Sequence, residues 1–534
     1  MQADGLQTIG YDHGDYNVVT NYVKGNNSYT VFAGANYSHV DGTETWNNEN
    51  YQFTQSLFDR ESYSKNSYRN HQEYMQFRYQ NQKGKRYWVG KFTLVNLSTP
   101  RNASSGFAKE STETDVFSNI RKKSLSPKID LNANLPLSKN QTLILGVHGK
   151  YSANSYHRLY QEQPFETMTD EDEKALSFQL SAIYNYFSQK HSLSMELFHY
   201  HDVWNADYSG NCELWQHLWK GESLAFFSYN FQASRRLSLK TRIGLDWLQY
   251  HLHGDNSFSQ LSPRINTNVQ YQLNKGMLLW SFNFVNSNHG MDVINRAMIQ
   301  INSHIMEKGM PELKKSHDIN TYLYYMGRFN RLSVSAIGQF RYNHHPVTDD
   351  YYLDEANGKI VKTYSNGGNA QYYSAILALQ YKLCKFANLS GDIRYNHAEV
   401  KTTWSKHNNN LTGNLGLNMF MGDFALKPCL HFGKKSLDEA AWVISKTPID
   451  YGMSGSYSRG NLYVELQAAS PFKKQEKQYW LDLPIYSYSK SIKDQTASQY
   501  ASIKVAYSFD FGRKIQKVEK DVNKNINSSL LRVE

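Results

Sequence analysis

Ser502-Ile503-Lys504-Val505-Ala506-Tyr507-Ser508-Phe509-Asp510-Phe511 divides at period two. Ile503, Val505, Tyr507, Phe509 and Phe511 fall on one face, and Ser502, Lys504, Ala506, Ser508 and Asp510 on the other. Successive side chains of a β-strand point to opposite sides of its sheet, so this segment is a strand with one apolar and one polar face. The split recurs upstream. Leu143, Leu145, Val147 and Tyr151 alternate with Thr142, Gly146, His148 and Lys150. Phe178, Leu180, Ala182, Tyr184 and Tyr186 alternate with Ser177, Gln179, Ser181 and Asn185, and Leu332, Val334, Ala336, Phe340 and Tyr342 do the same farther on. Ile144, Ile183 and Ile337 are exceptions on the polar faces.

Alternation alone does not say whether the apolar face meets lipid or a protein core, because a soluble sandwich shows it too. Connection lengths decide. Lys24–Asn27, Gln82–Gly84, Ser138–Asn140, Ala233–Arg235, Asn274–Lys275, Arg328–Asn330 and Arg459–Gly460 read as tight turns, whereas 41–66, 97–122, 153–172, 290–315, 345–369 and 470–497 read as long polar loops. Short turns on one rim and long loops on the other mark an outer-membrane barrel. The chain is therefore expected to be all-β, a transmembrane antiparallel β-barrel with about 21 strands visible. Such barrels close with an even number, so a first strand is expected to be missing before Asp15, making about 22. The expected division is a lead-in over 1–14, a barrel over 15–511 and a polar tail over 512–534 that is periplasmic and mobile.

Composition agrees. The 40 Tyr, 26 Phe and 10 Trp set against 11 Pro suit pleated surfaces and membrane interfaces. No apolar run approaches the roughly 18 residues of a spanning helix. Cys212, Cys384 and Cys429 imply no disulfide framework, and the net charge of +10 is spread along the chain without a nucleic-acid-binding stripe. Met1–Gly14 lacks the basic and apolar regions of a secretory signal.

Two stretches resemble a family. Gly309-Met310-Pro311-Glu312-Leu313-Lys314-Lys315-Ser316-His317 is similar to the Gly-Asn-Pro-x-Leu-Lys-Pro segment, with a following His, that precedes a strand in TonB-dependent receptors. Gly309, Pro311, Leu313 and His317 match; Met310 and Lys315 stand where Asn and Pro are usual. The last strand with Gly512-Arg513-Lys514, and the tail Asn527-Ser528-Ser529-Leu530-Leu531-Arg532-Val533-Glu534, resemble the ends of related Bacteroidetes outer-membrane barrels. The resemblance implies outer-membrane import of a scarce nutrient such as a metal chelate, glycan or peptide, driven by the TonB complex through a plug and coupling segment upstream of Met1. The alternative is a plugless barrel serving as a passive pore or surface adhesin. A barrel this wide with a polar lining needs something to fill it, so without an upstream domain it is expected to conduct ions.

No phosphate loop, nucleophile elbow or zinc-protease motif is present, and the sequence asks for no cofactor. Trp204, Tyr208, Trp215 and Trp219 gather at the loop-side rim, where they either bind a sugar or flat chelate or form an aromatic girdle. His199 with His201, and His251 with His253, share strand faces and read as interfacial histidines rather than metal ligands. Asp349, Asp350, Tyr351 and Tyr352 read as a solvated acidic turn.

Overall fold

The computed structural model describes residues 1–53, 57–255, 257–287, 290, 292–473, 475–494, 498–509, 522–526 and 528. Twenty-two antiparallel strands form a closed ring. Closure is made by Gln2–Ile9, which pairs with Asp12–Lys24 on one side and Tyr500–Ser508 on the other. The strand expected to be missing thus lies within residues 1–14, which are no lead-in. It escapes the period-two pattern because its outer face carries Ala3, Gly5 and Gln7. A neighbour covers the gap: a Cβ on Gly5 would sit 3.0 Å from the Tyr16 ring. The final strand is described to Ser508, and Asp510, Phe511 and most of the tail lie outside the described residues.

The face assignment from the sequence holds. Leu145, Leu180, Leu245, Leu377, Leu415, Ile503 and Val505 all stand exposed on the outside of the ring, whereas Ser502 is buried on the inside. Bare leucines around a whole circumference are stable against lipid and not against water. The exceptional isoleucines are explained by register. Ile144 lies directly opposite Ile183, and Ile337 opposite Ile376, as apolar cross-strand pairs on the inner wall.

One rim carries tight turns such as 25–26, 84–85, 139–140, 274–275, 330–331 and 460–461. The other rim differs from expectation. Segments 41–66, 97–122 and 153–172 are mostly strand: Asn27–Gln52, Leu57–Lys83, Arg86–Lys109, Glu113–Ser138, Gln141–Glu162 and Phe165–Phe187 run for 22 to 27 residues. About 9–11 residues cross a bilayer. The surplus rises as a tall wall beyond it, with water in place of lipid outside and buried polar and charged side chains inside, and so loses the apolar alternation by which strands are recognised. Segment 470–497 is likewise a hairpin, Gln475–Asp482 with Tyr486–Asp494, whose second strand pairs with the upper part of Asn27–Gln52.

Residues 290–315 and 345–369 turn inward. They supply Met298–Gln300, Ile305–Lys308, Thr348–Asp354 and Lys359–Ser365, which form a separate four-stranded sheet across the loop-side mouth. Ile305, Tyr351 and Ile360 of this sheet pack in one core with the wall residues Tyr51, Ala370, Val400 and Tyr486 and with Trp442. The chain's own residues thus occupy part of the mouth as a lid, a contribution absent from the expectation of a lumen left open by the barrel itself. Asp349–Tyr352 is part of this lid and not a solvated turn: Tyr351 is buried, and Asp349 accepts a hydrogen bond at its main-chain oxygen from Trp442 Nε1 at 2.7 Å.

Candidate functional site

The lidded mouth is where buried charge and aromatic side chains concentrate. Tyr156, Arg158, Tyr160 and Glu162 alternate along the inner face of Gln141–Glu162, and all are buried. Arg158 donates to the main-chain oxygens of Gln300, at 2.7 Å, and Ile301, pinning the lid to the wall. Arg60, 4% exposed, reaches Glu49 at 3.2 Å, Glu162 at 2.7 Å and the Tyr160 hydroxyl at 3.2 Å. Tyr51 and Tyr486 donate to Glu49 at 3.0 and 2.6 Å, and Ser303 of the lid donates to Glu162 at 3.1 Å. Burial would lower the Arg60 pKa, but Glu49 and the surrounding phenols and Glu162 hold it above its ordinary value. A desolvated ion group of this kind persists only when most of its lone pairs and protons are used; both terminal nitrogens of Arg60 are bonded, while its Nε–H makes no hydrogen bond and faces Glu110 at 3.7 Å.

A second charged group sits within the lid. Lys362 reaches Glu307 at 3.0 Å and Asp349 at 3.5 Å. Burial pushes the Asp349 carboxyl up to about 6, although Lys362 pulls the other way.

The four aromatic residues singled out in the sequence do not converge. Trp204 and Tyr208 point inward and are buried. Trp204 packs with Leu218, Leu248, Leu252, Ile294 and Leu313, and the Tyr208 hydroxyl accepts a hydrogen bond from Asn295. Both serve as anchors for the 290–315 segment. Trp215 and Trp219 are on the opposite face of their strand and look outward. Trp219 stacks on His201 with ring centres 6.1 Å apart, and Trp215 lies edge-on to His253 at 5.1 Å. His199 stacks on His201 at 6.2 Å and bonds Ser223 at 2.9 Å. This outer set has the arrangement of an interfacial girdle. Among the described residues no group of three or more His, Cys, Asp or Glu is placed to hold a metal ion.

The Gly309–His317 stretch is the hinge by which the lid returns to the wall. A Cβ on Gly309 would lie 2.0 Å from the Asn295 main-chain oxygen, so only glycine allows the close passage of the two strands of this loop. The main-chain oxygen of Pro311 accepts from the Tyr250 hydroxyl at 3.3 Å, Leu313 is buried in the Trp204 core, and His317 bonds Asn286 at 2.5 Å. Lys315, at a position where the resembled segment has Pro, places its ammonium 2.9 Å from Asp246 with both side chains fully buried. Arg264 meets the same carboxylate at 2.6 Å and Glu222 at 3.2 Å.

Arg60, Arg158, Asp246 and Lys315 were not picked out from the sequence. One signal was available: Tyr156, Arg158, Tyr160 and Glu162 alternate regularly inside a supposed loop, where nothing requires alternation. The Arg60–Glu162 and Asp246–Lys315 contacts join residues more than 60 positions apart and leave no local trace.

Fold and mouth together define a large outer-membrane-type barrel with a self-folded lid. Comparison with solved structures gives the same architecture. The chain superposes on the copper transporter OprC with a TM-score of 0.67 at 10% identity, over 95% of this chain and 80% of that one. It superposes on the FrpB iron transporter from Neisseria meningitidis at 0.60 with 8% identity, over 95% and 81%. For the siderophore receptor PirA from Pseudomonas aeruginosa the score is 0.56 at 10% identity, over 95% and 80%. At such identities the likeness is one of fold. No protein-family model matches the chain, and no curated protein matches it by sequence.

Proposed function

We propose that this chain forms the barrel of a TonB-dependent outer-membrane receptor that imports a scarce nutrient. What supports the reading is the closed mouth. A ring of 22 strands is wide enough for an aqueous channel, yet its loops are spent on a packed sheet across the entrance. A packed sheet at the entrance restricts what passes, which suits a receptor that admits one cargo at a time. The Gly309–His317 resemblance and the structural neighbours, two named as metal transporters and one as a siderophore receptor, point the same way. A metal chelate is therefore the first cargo to try, before glycans and peptides. A plug and coupling segment reaching the TonB complex belong to this reading.

Cells carrying or lacking the gene would be offered iron and copper chelates, oligosaccharides and peptides, with and without a protonophore. Gene-dependent uptake that collapses with the protonophore is expected. Gene-dependent leakage of small solutes that ignores the protonophore would replace the importer with a passive pore, and cell adhesion without uptake would replace it with an adhesin.

A further inference from the structure

Residues 522–526, expected from their composition to be a mobile periplasmic tail, lie inside the barrel. Val522 and Ile526 pack against Val19, Phe32, Tyr74 and Val95 of the inner wall. Between them Lys524 places its ammonium 4.3 Å above the Tyr74 ring. The ring itself lies flat against the wall because position 34 is glycine, where a Cβ would come within 2.5 Å of it. The main chain is held as well. Lys128 donates to the main-chain oxygens of Asn523 and Asn525, at 2.7 and 2.6 Å, and Gln72 donates to that of Lys524 at 3.4 Å.

This is the bonding of an extended strand. Carbonyls of an extended chain alternate in direction, so Asn523 and Asn525 can address one donor while Lys524 addresses another on the opposite side. The side chains alternate too: Val522, Lys524 and Ile526 are half-buried toward the wall, and Asn523 and Asn525 are exposed to the lumen. Val522-Asn523-Lys524-Asn525-Ile526 thus has the pattern of a strand with one apolar and one polar face. The wall offers a matching groove, with an apolar floor, an aromatic ring for the cation, and an ammonium and an amide for the carbonyls.

We propose that the inner wall built from Val19, Phe32, Tyr74, Val95, Gln72 and Lys128 is a docking site for the chain's own C-terminal segment, residues 522–526, which is thereby seated in the lumen and narrows it. The segment takes cross-section from the channel wherever it is docked. The proposal stands without the import reading, since it concerns only what occupies this wall.

The full chain, refolded as a barrel and checked by heat-modifiable migration, is treated with a lysine-specific protease, and cleavage after Lys524 is followed by mass spectrometry. Docking predicts cleavage at least about tenfold slower than in the urea-unfolded chain, because the segment must leave the groove before it is cut. Lys128→Ser, which leaves the outer face untouched, should restore fast cleavage in a barrel that still migrates as folded. A double variant, Val522→Asp with Ile526→Asp, should do the same from the other side of the contact. Fast cleavage of the folded parent chain would overturn the proposal. So would slow cleavage that persists in both variants, since protection would then come from something other than this groove.

Discussion

Replacing Arg60 by Met keeps most of the buried stem and removes the charge that faces Glu49 and Glu162, whose side chains are only 5% and 8% exposed. Those carboxylates are then left buried without their cation. The hydroxyls of Tyr51, Tyr486, Tyr160 and Ser303 still donate to them and soften the loss. Breaking a buried ion group by removing one partner typically costs about 3–5 kcal/mol, and that is the expectation at pH 7. Amide hydrogen exchange over Ile305–Lys308 and Lys359–Ser365, with thermal melts at pH 7, measures it. A loss below about 1 kcal/mol would refute the reasoning that buried carboxylate charge sets the cost.

Val505→Arg, on the lipid face, should cost about 2–4 kcal/mol of barrel stability and Lys504→Ser, on the inner face, little; equal costs in lipid folding titrations would reverse the face assignment. Asp246→Leu strands the buried ammonium of Lys315 and should cost about 3–5 kcal/mol in thermal melts. Lys315→Met leaves Asp246 paired with Arg264 and should cost about 1 kcal/mol or less. Asp349 is raised to about 6 in the folded lid. Its contribution to lid stability is therefore full below its unfolded value and is lost as pH rises through about 6. Asp349→Asn should flatten the pH dependence of lid exchange, and an unchanged profile would assign the titration elsewhere. Replacing 298–308 by a short glycine-serine link should raise the ion conductance of the barrel in a planar bilayer. No change would mean that the lid is not the barrier.

The sequence by itself determined the membrane-crossing part. Lipid demands an apolar outer face, strands impose period two, and the two together wrote Ile503, Val505 and Tyr507 against Lys504 and Ala506 in a form that needs no neighbour to be read. The strand number followed from parity, although Gln2–Ile9 stayed hidden because its outer face has small and polar residues and Gly5 relies on Tyr16 to cover it, a contact made across strands. Above the membrane the rule lapses. There the outer face meets water in place of lipid and the inner face carries polar and charged side chains, so 41–66, 97–122 and 153–172 read as loops although they pair as strands. The site was less legible for a related reason. Trp204 and Trp219 look alike in a sequence, but the pleat turns one inward to anchor the lid and the other outward to the girdle. Only the tertiary structure decided the lid, the Arg60 and Lys315 ion groups and the lumenal seat of residues 522–526. Each joins segments far apart in the chain, where burial on one side of a contact is set by a partner that local pattern does not name.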